Sequence, residues 1–110
     1  MNKKLDALLK TLNDEKVSVI HNNGPAGPAN AVALIDMPKT MSLAEKLEHA
    51  FMLTNSIESA WYENKGLTKL FSGDGCRSTM VGDMVLIGNS KYRVEKSGWS
   101  KLIGDTWSKL

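Results

Sequence analysis

Leu5, Leu8, Leu9 and Leu12 recur at i, i+3, i+4 and i+7, which places them on one face of a helix that Asn2 is positioned to cap. The opening segment is therefore expected to be an amphipathic helix, its leucine face packed on its own domain or shared between two copies of the chain. The period then changes. In KVSVI, residues 16–20, Val17 and Val19 alternate with Ser18, and NAVALI, residues 30–35, is a short β-compatible apolar run. Both predict strands. The HNNGPAGPAN between them is dense in Gly, Pro and Asn and predicts a loop. It carries no Walker lysine and opens no helix, so phosphate binding is not expected there.

A second helix is signalled more sharply. Ser42 and Glu45 form an S-x-x-E capping box, and Pro38 lies upstream, where it does not interrupt the helix. Leu43, Leu47, Ala50, Phe51 and Thr54 share one stripe, with Glu45, Glu48, His49 and Met52 opposite. His49 is thereby expected at the surface. Periodicity fails over SIESAWYENKGLTKLFSGDG, residues 56–75, which reads as an ordered connector that buries one of Trp61 and Tyr62 and leaves the other near the surface.

The stretch RSTMVGDMVLIGNSKYRVEKSGW, residues 77–99, is the most patterned in the chain. MVLI, KYRVE and WSKLI predict three strands of an antiparallel meander, with turns at Gly82, Gly88 and Gly98. Tyr92 and Val94 fall on one face; Lys91, Arg93 and Glu95 fall on the other. The final GDTWSKL nearly repeats SGWSKL and is either a short duplication or an added tail. The expected fold is α+β: two amphipathic helices packed on a small, strongly bent antiparallel sheet or partial barrel. One domain is expected, with residues 1–40 giving a helix and two strands, 41–75 a helix and the connector, and 76–110 the meander. Such a sheet resembles small SH3-like or PUA-like barrels, a likeness of fold that assigns no function.

Composition narrows the class. At 110 residues, 42% hydrophobic and 24% charged, the chain fits a single globular domain, without the signature of disorder or a spanning segment. MNKKLDALLKTLNDEK breaks its apolar run with Asp6 and Lys10, so no signal peptide is expected and the cytoplasm is the expected compartment. Cys76 is the only cysteine, which excludes an internal disulfide. The net charge of +2 is uneven: residues 76–110 hold six basic side chains against three acidic ones. That bias is far weaker than the basic fields typical of nucleic-acid binders.

Catalysis is not expected from this pattern. Cys76, His49 and an acid such as Asp83 contain the ingredients of a thiol triad, but no spacing ties them together. Cys76, His21 and His49 have no metal-ligand spacing, and no metal, cofactor or membrane contact is expected. A binding module is expected instead. Arg77, Lys91, Arg93, Lys96 and Lys101 lie in or beside the meander, and Trp61, Tyr62 and Trp99 supply aromatic surface. The favoured partner is a protein, because interface aromatics with a few Arg need no strong field. Nucleic acid is the alternative. Arg77 and Asp83 also have a purely structural reading, as a charged pair fixing the entry to the first strand of the meander.

The residues Leu53, Thr54, Asn55, Ile57, Trp61 and Asn64, followed by Arg77, Ser78, Val81, Gly82, Asp83, Tyr92, Val94, Gly98 and Trp99, make a pattern over residues 50–102. In it an LTNSI…W…N segment leads into an RS…VGD…YxV…GW hairpin. This resembles small, mostly uncharacterised accessory proteins of bacteriophages and mobile elements. The resemblance implies a phage or plasmid origin and a role in host takeover, anti-defence or gene regulation; the protein partner favoured by the aromatic and basic residues is then expected to be a host protein.

Overall fold

The alternating residues after position 13 build a long hairpin. The computed structural model describes residues 14–22, 28–56 and 59–110. Strand β1 (Asp14–Asn22) lies antiparallel to β2 (Ala29–Pro38), with Val17 opposite Ile35 and Val19 opposite Ala33. Side chains alternate along a strand, so this register sends Val17, Val19, Ala33, Ile35 and Met37 to one face, where all are buried. The register shifts between Val19 and Ile20, leaving Val32 as an extra residue in β2. Beyond this bulge His21 stands opposite Asn30.

Helix α1 (Leu43–Leu53) covers the buried face. Its capping box is complete: the Glu45 amide donates to Ser42 Oγ at 3.2 Å, and the Ser42 amide donates to Glu45 Oε1 at 3.3 Å. Leu47 and Ala50 join the sheet's apolar cluster, and His49 is exposed. Lys46 is buried as well, because its Nζ lies 2.6 Å from Glu15 Oε1 on β1.

After α1 come a 3-10 turn at Trp61–Glu63 and strand β3 (Leu67–Lys69), which pairs with the outer side of β2. The meander follows as β4 (Met84–Ile87), β5 (Ser90–Val94), β6 (Trp99–Ile103) and β7 (Thr106–Lys109). Val17 pairs with Ile87 and Val19 with Val85, so β4 joins the meander to the first hairpin. The result is one antiparallel sheet in the order β3-β2-β1-β4-β5-β6-β7.

The expected architecture is corrected here. Instead of two helices on a small, strongly bent sheet or partial barrel, one seven-stranded sheet dominates, with β3 and β7 as its outer strands. Among the described residues α1 is the single α-helix; the predicted leucine-faced helix lies outside them. The two unforeseen strands are three and four residues long. Such short pieces show almost no periodicity, and their conformation comes from backbone hydrogen bonding to a neighbour already in place.

Candidate functional site

Arg77 and Asp83 bracket a six-residue step in sequence and meet directly in the fold. Arg77 Nη1 donates to Asp83 Oδ2 at 2.6 Å and Nη2 to Oδ1 at 2.9 Å. The amides of Asn22 and Met80 donate to the same carboxylate at 2.9 and 2.8 Å. Burial alone would raise the Asp83 pKa, but these four donors outweigh it and hold the carboxyl below the usual carboxylate range. Arg77 also donates to the carbonyls of Asn22 and Ser78, at 3.2 and 3.0 Å. The pair thus fastens the 76–83 loop to the end of β1 through both the amide and the carbonyl of Asn22.

Beside this pair lies a buried imidazole. His21 is 3% exposed; its Nε2 is 2.9 Å from Thr79 Oγ1 and 3.8 Å from Asp83 Oδ2, and its Nδ1 is 3.6 Å from Cys76 Sγ. Desolvation lowers the His21 pKa, with Asp83 opposing and Arg77 reinforcing the shift. Desolvation raises that of Cys76, against the Arg77 charge. A cavity of about 520 Å³ opens here, bounded by His21, Cys76 and Arg77 together with Asn30, Val32 and Phe71.

Trp61 is fully buried and works from below: its indole N–H is shared between the carbonyls of Cys76, at 3.1 Å, and Arg77, at 2.9 Å. Tyr62 is half-buried, edge-on to Trp61 and Phe71. A Cβ added at Gly75 would sit 3.3 Å from the Tyr62 hydroxyl, a tight contact that a small shift of the Tyr62 ring would have to relieve.

The remaining predicted binding residues divide across the meander. Trp99 is buried against α1, edge-on to Phe51 at 6.4 Å, with its indole N–H 3.3 Å from Glu48 Oε1. Trp61 and Trp99 are therefore core residues rather than contact surface. Lys101 shares the helix side of the sheet, its Nζ 5.9 Å from the Tyr92 ring centre. Lys96 is exposed in the turn between β5 and β6.

Lys91 and Arg93 point to the opposite face, which no described helical element covers. There the Arg93 guanidinium lies 4.5 Å over the Trp107 ring, and its Nε donates to Glu95 Oε2 at 2.8 Å. Hydrogen bonds from Ser100 and then Arg93 lower the Glu95 pKa. The register adds Met84, Leu86 and Leu102 to this face, with Lys109 at its rim.

Sequence reasoning missed three groups. Trp107 and Lys109 lie in the segment read as duplication or tail, although Gly104-Asp105 is a two-residue hairpin turn, with Gly104 at φ +61°. His21 opens the Gly-, Pro- and Asn-rich segment expected to be a loop, and nothing local links it to Cys76, 55 residues away.

Set against known protein families, curated proteins and solved structures, the chain matches none. Among the described residues, no helix is long and apolar enough to cross a membrane. Among the same residues no three His, Cys, Asp or Glu side chains gather to hold a metal ion.

Proposed function

We propose that this chain is an accessory protein of a bacteriophage or mobile element that acts in the host cytoplasm by docking onto an acidic surface of a host protein. The docking surface is the face of β4–β7 turned away from α1. The observation that carries this reading is Arg93 stacked on Trp107 between Met84, Leu86 and Leu102, with Lys91 and Lys109 exposed beside them. Arg, Met and aromatic residues are enriched in protein interfaces, and a cationic rim around an apolar patch complements carboxylates around an apolar anchor. The RS…VGD…YxV…GW resemblance supports the phage setting.

A protein partner is favoured over nucleic acid for two physical reasons. Glu95 offsets part of the Arg93 charge, and phosphate binding draws its affinity from cations acting together. Arg93 also occupies one side of the Trp107 ring, which removes that side from base stacking.

The test is affinity capture from a bacterial lysate, identification and purification of the captured protein, and titration of the pure pair. The expected result is saturable binding to an acidic protein, weakened at least tenfold by Arg93→Glu and by Trp107→Ala and unchanged by Lys65→Glu. Unaltered affinity in the Arg93 and Trp107 variants would overturn the proposal. So would Arg93-dependent binding of a single-stranded oligonucleotide at low salt without a protein partner, or a dimer that Arg93→Glu dissociates, which would make a second copy the occupant.

A further inference from the structure

We infer that Cys76 and His21 form a nucleophile and general-base pair facing a cavity suited to an acyl ester, a chemistry separate from the docking face. The tautomer of His21 follows from hydroxyl bookkeeping. The Thr54 hydroxyl is 2.7 Å from the Ala50 carbonyl, which only accepts, so Thr54 spends its hydrogen there. Thr79 Oγ1 then gives its own hydrogen to Thr54 Oγ1, at 2.8 Å. Thr79 is left as an acceptor toward His21, which fixes the proton on Nε2 and turns the bare Nδ1 toward Cys76 Sγ. Cys76 is half-buried and remains reachable from the cavity.

The cavity, about 520 Å³, is of small-molecule size. Val32, Leu70 and Phe71 contribute apolar lining, and Asn30, Ser72 and Arg77 polar groups. That mixed lining suits a carbonyl compound with a short apolar acyl chain. Burial keeps the thiol protonated, which disfavours reaction with soluble disulfides or peroxides, since those require a preformed thiolate. A bound carbonyl is different, because the proton can leave as the bond forms.

In the step itself, Nδ1 takes the S–H proton as sulfur attacks the carbonyl carbon and the π pair moves to oxygen. Collapse expels the alkoxide, which recovers the proton from Nδ1 and departs as alcohol, leaving a Cys76 thioester. Water, deprotonated by the same Nδ1, then releases the carboxylic acid and the thiol. The transient imidazolium has its Nε2 3.8 Å from Asp83 Oδ2, the oxygen that Arg77 Nη1 also holds at 2.6 Å, and Cys76 lies across Nδ1; Asp83 favours that charge and Arg77 opposes it. Thr79 and Asp83 are positioning residues.

The experiment incubates the full-length chain with p-nitrophenyl butyrate, following nitrophenolate release and the mass of the intact protein. The expected result is one butyryl group on Cys76, absent in Cys76→Ala, with a rate that levels off by neutral pH after an inflection below the ordinary imidazole value of about 6.5. His21→Gln should slow acylation by about a hundredfold, within the usual range for a general base. Thr79→Val should slow it roughly tenfold with the far-UV spectrum intact, reflecting the lost tautomer restraint. Because His21 is buried, the pH profile of the unaltered chain provides a test that does not depend on how His21→Gln folds. A rate rising tenfold per pH unit beyond pH 8, or acyl groups on lysines in equal measure, would overturn the pair.

Discussion

The Arg77 guanidinium closes on the Asp83 carboxylate through two hydrogen bonds, 2.6 and 2.9 Å long, and the Asp83 side chain is only 1% exposed. The pair is asymmetric, because the Arg77 side chain is 36% exposed. Asp83→Ala strands two backbone amides and a cation, and should cost about 3–4 kcal/mol. Arg77→Ala leaves the carboxylate with both amide donors and some access of water to the vacated site, and should cost about 1–2 kcal/mol. Urea midpoints of the two variants would check the order, and equal losses would contradict it.

Acid should unfold the protein in two stages. The His21 pKa is lowered by burial, so the unfolded chain binds a proton first, and stability should start to fall as pH drops below about 6.5. That loss ends once the pH passes the folded-state pKa. The Asp83 pKa is also lowered, so its stabilisation is complete above about 3.9 and is lost as pH falls through its folded value. Thermal midpoints between pH 8 and pH 2 should show both declines, and His21→Gln should abolish the first.

Lys46 and Glu15 offer a test of buried charge. The Lys46 side chain is 11% exposed and that of Glu15 30%. Removing the acid alone, by Glu15→Ala, should destabilise by about 2 kcal/mol, because it leaves a largely buried ammonium unpaired. Lys46→Met together with Glu15→Leu should cost less than that single change or be neutral, since apolar replacements avoid desolvating the charges. Denaturation of the three variants decides it.

At Gly82 the backbone has φ +96°, while a Cβ there would meet nothing within 4 Å. Gly82→Ala should therefore cost about 1–2 kcal/mol through backbone strain alone, without a steric clash. An unchanged melting temperature in that variant would contradict this origin.

Much of the local structure was legible along the chain. The capping box of Ser42 and Glu45 and the alternation of Tyr92 and Val94 against Lys91 and Arg93 are set by residues within a few positions of one another. The face choice was harder to extend. Trp61 and Trp99 carried the right polar tips for an interface, yet their N–H groups end on Cys76, Arg77 and Glu48 inside the fold. An indole looks the same in sequence whether its donor meets a partner or its own chain.

By itself the sequence determined the alternation of β1 and β5, the turns at Gly82, Gly88 and Gly98, the start of α1 and the separation of charged from apolar positions on β5, because these depend on local backbone preference and side-chain alternation. Only the tertiary structure decided that β3 and β7 extend the sheet, that Lys46 is buried on Glu15, and that His21 rather than His49 lies against Cys76. Those relations depend on strand register and on contacts between residues tens of positions apart. Hydrogen bonds across a sheet are set by whichever strand arrives alongside, and no periodicity within one segment encodes its neighbour.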